Sequence, residues 1–297
     1  MVKFIFDTDL GGDCDDAGAL ALAHNLMNLG KCEMLGATAC SSATYSATAI
    51  QCMNEWFGRG DIPVGKNDTK PFLEEFEFNR YAKPIAEDYL QSHPMPKIES
   101  ATRLMRKILA ENHKVALVSI GMLNNIADLL RSEPDDISDL SGVELVREHV
   151  TALYAMAGDF GDLEHNEWNV ALDVESAQYV ADNFPCPIVY SGFELGMNIN
   201  TGRRLCDSGT DNPFYRAYKI VSDFFRAAEP VRDSWDPLTV YAAVITDTPY
   251  LEKSEPITVN FDEIGRVVMT PGGKDCYLKP TCTKAEICDI IDDLMVV

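Results

Sequence analysis

Five carboxylates crowd the ten residues Asp7-Thr8-Asp9-Leu10-Gly11-Gly12-Asp13-Cys14-Asp15-Asp16. Like charges a few ångströms apart raise one another's pKa values, so such a group stays ionised only around a compensating cation. Clustered hard oxygens suit calcium or magnesium. The two glycines permit a sharp turn that folds the aspartates toward a common centre. Helix capping would explain Asp15 and Asp16, because acidic side chains favour a first turn, but it leaves Asp7, Asp9 and Asp13 without a role. An EF-hand loop fits Asp7, Asp9, Gly12 and Asp15, yet Gly18 stands where a bidentate glutamate is wanted. The apolar run before the turn also reads as strand rather than helix.

A metal-binding turn needs a frame that holds it at one end of a fold. Residues 2–6 form a short apolar run without alternation, as expected for a strand covered on both faces. Residues 17–29 carry apolar side chains at helical spacing, with Ala17, Leu20, Ala21 and Leu22 early and Leu26 and Leu29 later. Strand is expected at 33–39, helix at 43–57 and a short strand at 62–64. Residues 67–96 read as an irregular loop with one helix near 83–90. Alternation resumes with helix at 101–111, strand at 114–120, helix at 124–131, strand at 151–157, helix at 174–183 and strand at 187–190. Helices at 213–228 and 236–246, strands at 257–261 and 266–269, and a helix at 284–295 follow. This order argues for an α/β fold, a mostly parallel sheet with helices on both faces. No repeat, low-complexity tract or linker-like stretch interrupts it, so a single domain over residues 1–297 is expected.

Forty-seven acidic side chains against 25 basic ones give a net charge of −22. A surface of that sign repels phosphate backbones and anionic membranes, which disfavours a nucleic-acid polymer and leaves small neutral substrates and divalent cations. No apolar run is long enough to span a bilayer. The N-terminus enters the strand-like run directly, without the basic region, apolar run and cleavage site of a signal peptide. Nine cysteines stand singly, none in a Cys-x-x-Cys pair, as in a reduced intracellular protein. A cytoplasmic location is the expectation.

In a parallel α/β sheet, ligands bind beyond the carboxyl ends of the strands, so the residues after each expected strand are the informative ones. Asp7-Thr8-Asp9, then glycine, then Asp15-Asp16-Ala17 followed by Ala19-Leu20, resembles the N-terminal signature of the calcium-dependent nucleoside hydrolases. The resemblance is to the variant with two more residues before the Asp-Asp pair. Val118-Ser119-Ile120-Gly121-Met122-Leu123-Asn124-Asn125 is similar to that family's strand-to-helix turn. Glu167-Trp168-Asn169, with Asp173 four residues on, resembles its Glu-aromatic-Asn segment. Trp235-Asp236-Pro237-Leu238 resembles its His-Asp-Pro pattern before a late helix, and Asp-Pro is also a sound helix start. Together the segments run from residue 7 to residue 238.

The resemblance implies a Rossmann-like nucleoside hydrolase fold. It also implies hydrolysis of the N-glycosidic bond of a ribonucleoside to free base and ribose, through a transition state resembling an oxocarbenium ion. It implies calcium as the cofactor, held by Asp9, Asp16, the backbone carbonyl of Ile120 and Asp236, with Asp9 activating a metal-bound water as general base. Asp15, Glu167 and Asn169 would bind the ribose, Trp235 would meet the base, and Asp7 and Asp13 would support the turn. The remaining implications are a small nucleoside substrate, a place in purine or pyrimidine salvage, and a homodimer or homotetramer.

Three departures bear on the chemistry. The position before Asp236, a histidine and candidate acid for the leaving base in several members, is Trp235. Its indole donates a hydrogen bond but delivers no proton near neutral pH; stacking is what it offers. Where the family has an asparagine after the second strand, this chain reads Cys40-Ser41-Ser42-Ala43. An asparagine expected ahead of Glu167 has no match, Asn166 being too close. Of the five histidines only His165 lies near a motif, which makes it a candidate acid; Arg203-Arg204 is a candidate phosphate site. Two other functions suit the turn. One is a calcium-bound ribose or nucleoside-binding protein without catalysis. The other is a magnesium-dependent phosphatase of the haloacid-dehalogenase type, with Ser119 as the strand-end hydroxyl but no convincing later lysine.

Overall fold

The N-terminal apolar run forms β1 (Val2–Thr8), passes through the acidic turn into α1 (Asp15–Asn28) and returns as β2 (Cys32–Ala39), parallel to β1. The fold is that of a computed structural model, which describes residues 1–207 and 212–296. From β2 the chain moves outward through α2 (Thr44–Trp56), β3 (Val64–Lys66), a 3-10 turn at Phe76–Asn79, α3 (Ala82–Tyr89) and β4 (Ile98–Ser100). After α4 (Ala101–Glu111) it re-enters on the opposite side of β1. There it lays down β5 (Val115–Ser119), α5 (Asn124–Arg131), α6 (Gly142–His149) and β6 (Val150–Met156). Next come α7 (Trp168–Leu172), α8 (Val174–Asn183) and β7 (Ile188–Ser191). A helical segment follows with α9 (Phe193–Gly196), β8 (Asn200–Thr201), α10 (Arg203–Asp207), α11 (Pro213–Phe225), β9 (Arg232–Asp233) and α12 (Trp235–Val244). Last are β10 (Leu251–Lys253), β11 (Ile257–Phe261), β12 (Val267–Pro271), β13 (Cys276–Pro280) and α13 (Lys284–Leu294).

The main sheet has the order β10-β13-β7-β6-β5-β1-β2-β3-β4, parallel except for β10 against β13. Chain direction across the sheet reverses between β1 and β5, which makes their carboxyl ends the crevice where ligands bind in open α/β sheets. Helices cover both faces. Phe4 and Phe6 enter the layer that holds α1 and α12, while Ile5 enters the opposite layer with α4 and α5, the period of two expected of a strand. Helix α1 is buried from Asp15 to Leu26, apolar almost all round because it is packed between the sheet, α11, α12 and α13. No helix among the described residues is long and apolar enough to cross a membrane. The nine cysteines are free thiols, buried or half-buried.

The α/β architecture expected from the sequence is the one observed, with local differences. The strand expected at 62–64 begins at Val64, because Pro63 has no N–H for a ladder and contributes only its carbonyl, which accepts from Ala37 N at 3.0 Å. Strands at 257–261 and 266–269 do form, but as a separate ribbon, β11–β12. The segments that extend the main sheet near the C-terminus are the short, polar β10 and β13, which carried no apolar pattern. Helix α6 also escaped the periodicity reading. Its signal was a capping box, Ser141 with Glu144, in which each side chain meets the other's backbone N–H.

Candidate active site

The site is built outward from Asp7, inside β1. Register places Thr38 of β2 on one side of it and Ser119 of β5 on the other. Thr38 Oγ1 donates to Asp7 Oδ1 at 2.7 Å, Ser119 Oγ to Oδ2 at 2.8 Å and Asn125 Nδ2 to Oδ1 at 2.8 Å. Burial raises the Asp7 carboxyl to about 6, against these three hydrogen bonds. Asp7 thus ties the two switch-point strands and α5 together. It does not line the cavity.

Beyond Thr8 the chain leaves the sheet. Gly11 and Gly12 serve a close approach: a Cβ on Gly11 would lie 2.3 Å from the carbonyl oxygen of Phe78. Tyr81 N donates to Gly11 O at 3.0 Å and Arg80 Nη1 to Gly12 O at 3.1 Å, so the 3-10 turn clamps the acidic loop from outside. Asp13 is drawn to the rim by Arg232, whose Nε donates to both its oxygens, at 2.8 and 2.9 Å, and whose Nη2 donates to Oδ2 at 2.5 Å. Asp15 and Asp16 open α1 and are buried.

These side chains floor a cavity of about 450 Å³. Asp15, Asp16 and Asp236 each place a carboxylate oxygen within 4.8 Å of the others, all three buried. Thr8 Oγ1 donates to Asp16, and Asp236 N, at the start of α12, donates to Asp15 Oδ2 at 3.4 Å. Asp9 and Ile120 line the same cavity. Asp9 stands outside the tight trio. Gly121 makes room for it, since a Cβ there would lie 2.7 Å from Asp9 N, 2.8 Å from Asp9 Oδ1 and 2.6 Å from Cys40 Sγ. Burial raises Asp9 to about 7, its own backbone N–H opposing and Asp13 and Asp7 adding. Asp15, Asp16 and Asp236 are pushed well above the ordinary carboxylate range, first by burial and then by one another and their acidic neighbours.

Four carboxylates on this floor cannot all be anions without a cation. Of the cavity's two arginines, Arg232 is already spent on Asp13 and Arg80 is held on the Gly12 carbonyl. The donor set is all hard oxygen, which fits a divalent ion of the calcium or magnesium type.

The sugar-facing candidates lie beside this floor. Glu167 is buried and caps α7, with Oε1 accepting from Asn169 N at 2.7 Å and Oε2 from Gly158 N at 3.1 Å and Val170 N at 3.2 Å. Burial raises it to about 7 against those bonds. Asn169 Nδ2 donates to the carbonyls of Ile120, at 3.2 Å, and Met156, at 3.1 Å. Its amide therefore orients the Ile120 carbonyl, and only Oδ1 is open toward a ligand. Trp235 stacks on Phe193 with ring centroids 5.3 Å apart and spends its only N–H on Phe193 O at 2.8 Å. Trp168, Phe78 and Phe225 line the same cavity, Phe78 and Trp168 with ring centroids 6.2 Å apart.

All eight sequence candidates, Asp9, Asp15, Asp16, Ile120, Glu167, Asn169, Trp235 and Asp236, meet at this one cavity. Arg80, Arg232, Phe193 and Phe225 were not anticipated, because no motif marks the segments that carry them. The segment after β2, which lacks the family's asparagine, is held from α5: Asn124 Nδ2 donates to Cys40 O at 2.9 Å and Asn125 Nδ2 to Ala39 O at 3.0 Å, and neither side chain lines the cavity. Ser119 does not line the cavity, nor does any lysine among the described residues. Arg203 and Arg204 are paired with Glu229 and Asp293 at the surface, away from any phosphate role here.

Known proteins resemble this chain in sequence and in fold. A family model described as inosine-uridine preferring nucleoside hydrolase matches residues 4–295. The pyrimidine-specific ribonucleoside hydrolase RihA of Escherichia coli is 25% identical over 202 residues, 65% of this chain and 61% of RihA, so the match spans less than two thirds of that relative. An inosine-uridine preferring nucleoside hydrolase from Bacillus anthracis superposes with a TM-score of 0.71 at 19% identity over 99% of both chains. The plant nucleoside hydrolase PpNRh1 does so with a TM-score of 0.73 at 18% identity over 100% of this chain and 99% of the other. At such identities these two structures speak for the fold.

Proposed function

As the chain belongs to the inosine-uridine preferring nucleoside hydrolase family, we propose that it hydrolyses the N-glycosidic bond of a ribonucleoside to free base and ribose. The observation that carries the reading is one cavity lined both by buried carboxylates, which suit a sugar's hydroxyls, and by aromatic rings, which suit stacking on a base.

In this reading Asp9, Asp16, the Ile120 carbonyl and Asp236 hold calcium. When bound, the ion supplies Lewis acidity, which lowers the pKa of a water and anchors sugar hydroxyls. Asp9 takes the proton of the attacking water as general base. Asp15 receives a ribose hydroxyl near the cleaved bond, although it also lies within reach of Asp16 and Asp236. Glu167 and Asn169 Oδ1 hold the remainder of the sugar. Ionised carboxylates close to the ring stabilise the positive charge that develops on it. Trp235 and Phe193 stack against the base. The whole chain, 1–297, acts as one unit. We place it in the cytoplasm, in salvage of purine or pyrimidine bases, as a homodimer or homotetramer.

The test is free-ribose release from a panel of purine and pyrimidine ribonucleosides, with calcium and with chelator, beside phosphomonoester controls. Ribose released with calcium and lost with chelator supports the reading. Phosphate release without ribose would establish a phosphatase, and nucleoside binding without turnover a non-catalytic ribose sensor.

A further inference from the structure

The loop from Gly158 to Glu167 leaves the end of β6 and returns to the cavity with the buried Glu167 at its finish. No helix or strand lies between β6 and α7, so side chains set its path. Asp159 is the first of them. It is buried, its Oδ1 accepts from Gly161 N and Asp162 N, both at 2.9 Å, and its Oδ2 meets His165 Nδ1 at 3.0 Å. His165, the histidine nearest a sequence motif, is drawn onto Asp159 and does not line the cavity.

The second grip comes from α9. Glu194 Oε2 accepts from Phe160 N at 3.0 Å, and the preceding residue, Phe193, donates its N–H to Gly158 O at 2.8 Å. Gly161 lets the two carboxyls approach, since a Cβ there would lie 2.9 Å from Glu194 Cβ, 3.1 Å from Glu194 Cγ and 3.4 Å from Asp159 Oδ1. Burial raises Glu194 to about 7, the N–H groups of Phe160 and of Glu194 itself opposing and the Asp159 charge adding.

Neither carboxyl lines the cavity, yet the cluster leads to it in two directions. Through Gly158, whose N–H donates to Glu167 Oε2 at 3.1 Å, it reaches a sugar-facing side chain. Through Phe193, which stacks on Trp235 and accepts its indole N–H at 2.8 Å, it reaches the rings that suit a base.

We propose that Asp159 and Glu194 are positioning residues that hold Glu167 and Phe193 in register for a bound ribonucleoside. The inference rests on the nucleosidase reading above. The aspartates of the cavity floor stand on other segments, the turn from β1 into α1 and the start of α12. The pair therefore acts on how the nucleoside is held, and not on the floor or the attacking water. Loss of binding made equally in ground and transition states raises KM and leaves kcat in place.

The experiment measures KM and kcat for ribose release, with calcium affinity and thermal midpoint read on the same preparations. Glu194→Ala and Asp159→Ala should raise KM on the order of tenfold, with kcat kept within a few-fold and calcium affinity unchanged. Glu194→Gln should keep KM near that of the unmodified chain, because its amide oxygen still accepts from Phe160 N and it carries no charge to repel Asp159. Gly161→Ala, which displaces Glu194 without removing its carboxyl, should raise KM as Glu194→Ala does, and it serves where the alanine variants at 159 and 194 fail to fold. An unchanged KM in the variants that break the cluster would overturn the proposal, as would a rise that Glu194→Gln shares. A loss confined to kcat or to calcium affinity would overturn it too. If the unmodified chain releases no ribose, the nucleosidase reading falls and the proposal falls with it. Normal turnover with the wrong KM pattern removes the proposal alone.

Discussion

Among the aspartates of the acidic turn, position decides role. Asp7 lies within the strand, accepts three side-chain hydrogen bonds and never reaches the cavity, whereas Asp9, two residues on, lines it. The two should respond oppositely to substitution. Asp7→Asn places an amide donor against three donors at a buried site, a loss of roughly 1–3 kcal/mol. The expected result is a lower thermal midpoint, with turnover of the folded fraction kept within a few-fold. Asp9→Ala should abolish ribose release with little change in midpoint; an active Asp9→Ala would remove it as the base. The sequence made the cavity aspartates visible because so many carboxylates in ten residues have no structural reason to cluster. It did not reveal Arg232, which pairs with Asp13 across 219 residues of chain and follows no local pattern.

Strand ends and the turns after them carry the site, and two of those turns pass close enough to require glycine. The β5–α5 turn approaches β1 so tightly that a Cβ on Gly121 would contact Asp9 N, Asp9 Oδ1 and Cys40 Sγ, all within 2.8 Å. Gly121→Ala should therefore displace Asp9 before it unfolds anything. A shift of about an ångström at a reacting group costs on the order of 10²-fold in rate. Steady-state kcat, read beside the thermal midpoint, checks this: a large loss in kcat with a small loss in midpoint is expected. Elements with strong period or length, such as α4, α5 and α8, were legible to the residue. Elements defined by pairing rather than composition were not. β4, β10 and β13 are three to five residues long, and their ladders form because neighbouring strands present free edges.

Across the whole molecule, the site depends on α1 staying locked between the sheet and the helices that flank it. His24 anchors that helix to α2, its Nε2 meeting Asn54 Oδ1 at 2.9 Å and its ring stacked on Phe57. Burial lowers His24 from 6.5 to about 4, with Arg59 adding to the fall and Asn54 opposing it. Between those values the unfolded chain holds the proton and the folded chain does not. The stability contribution is therefore complete above pH 6.5 and lost as pH drops toward 4, by roughly 3 kcal/mol. Denaturant midpoints of the chain and of His24→Gln, followed from pH 7.5 to 4.5, should converge as pH falls; a constant gap would contradict a neutral buried histidine. The overall architecture was readable because alternating strand and helix leave few parallel-sheet topologies open. The carboxyl ends of the expected strands then indicated where to look for chemistry, and the strand order adds the switch point beside β1.

The decisive measurement is a calcium titration of chelator-stripped protein, with ribose release from its best nucleoside as readout. Activity should rise from none to a plateau at one ion per chain, and Asp236→Ala should stay inactive at ion concentrations that saturate the unmodified chain. Full activity in the stripped protein, or a titration that Asp236→Ala leaves unchanged, would contradict a metal-assisted site on the acidic turn.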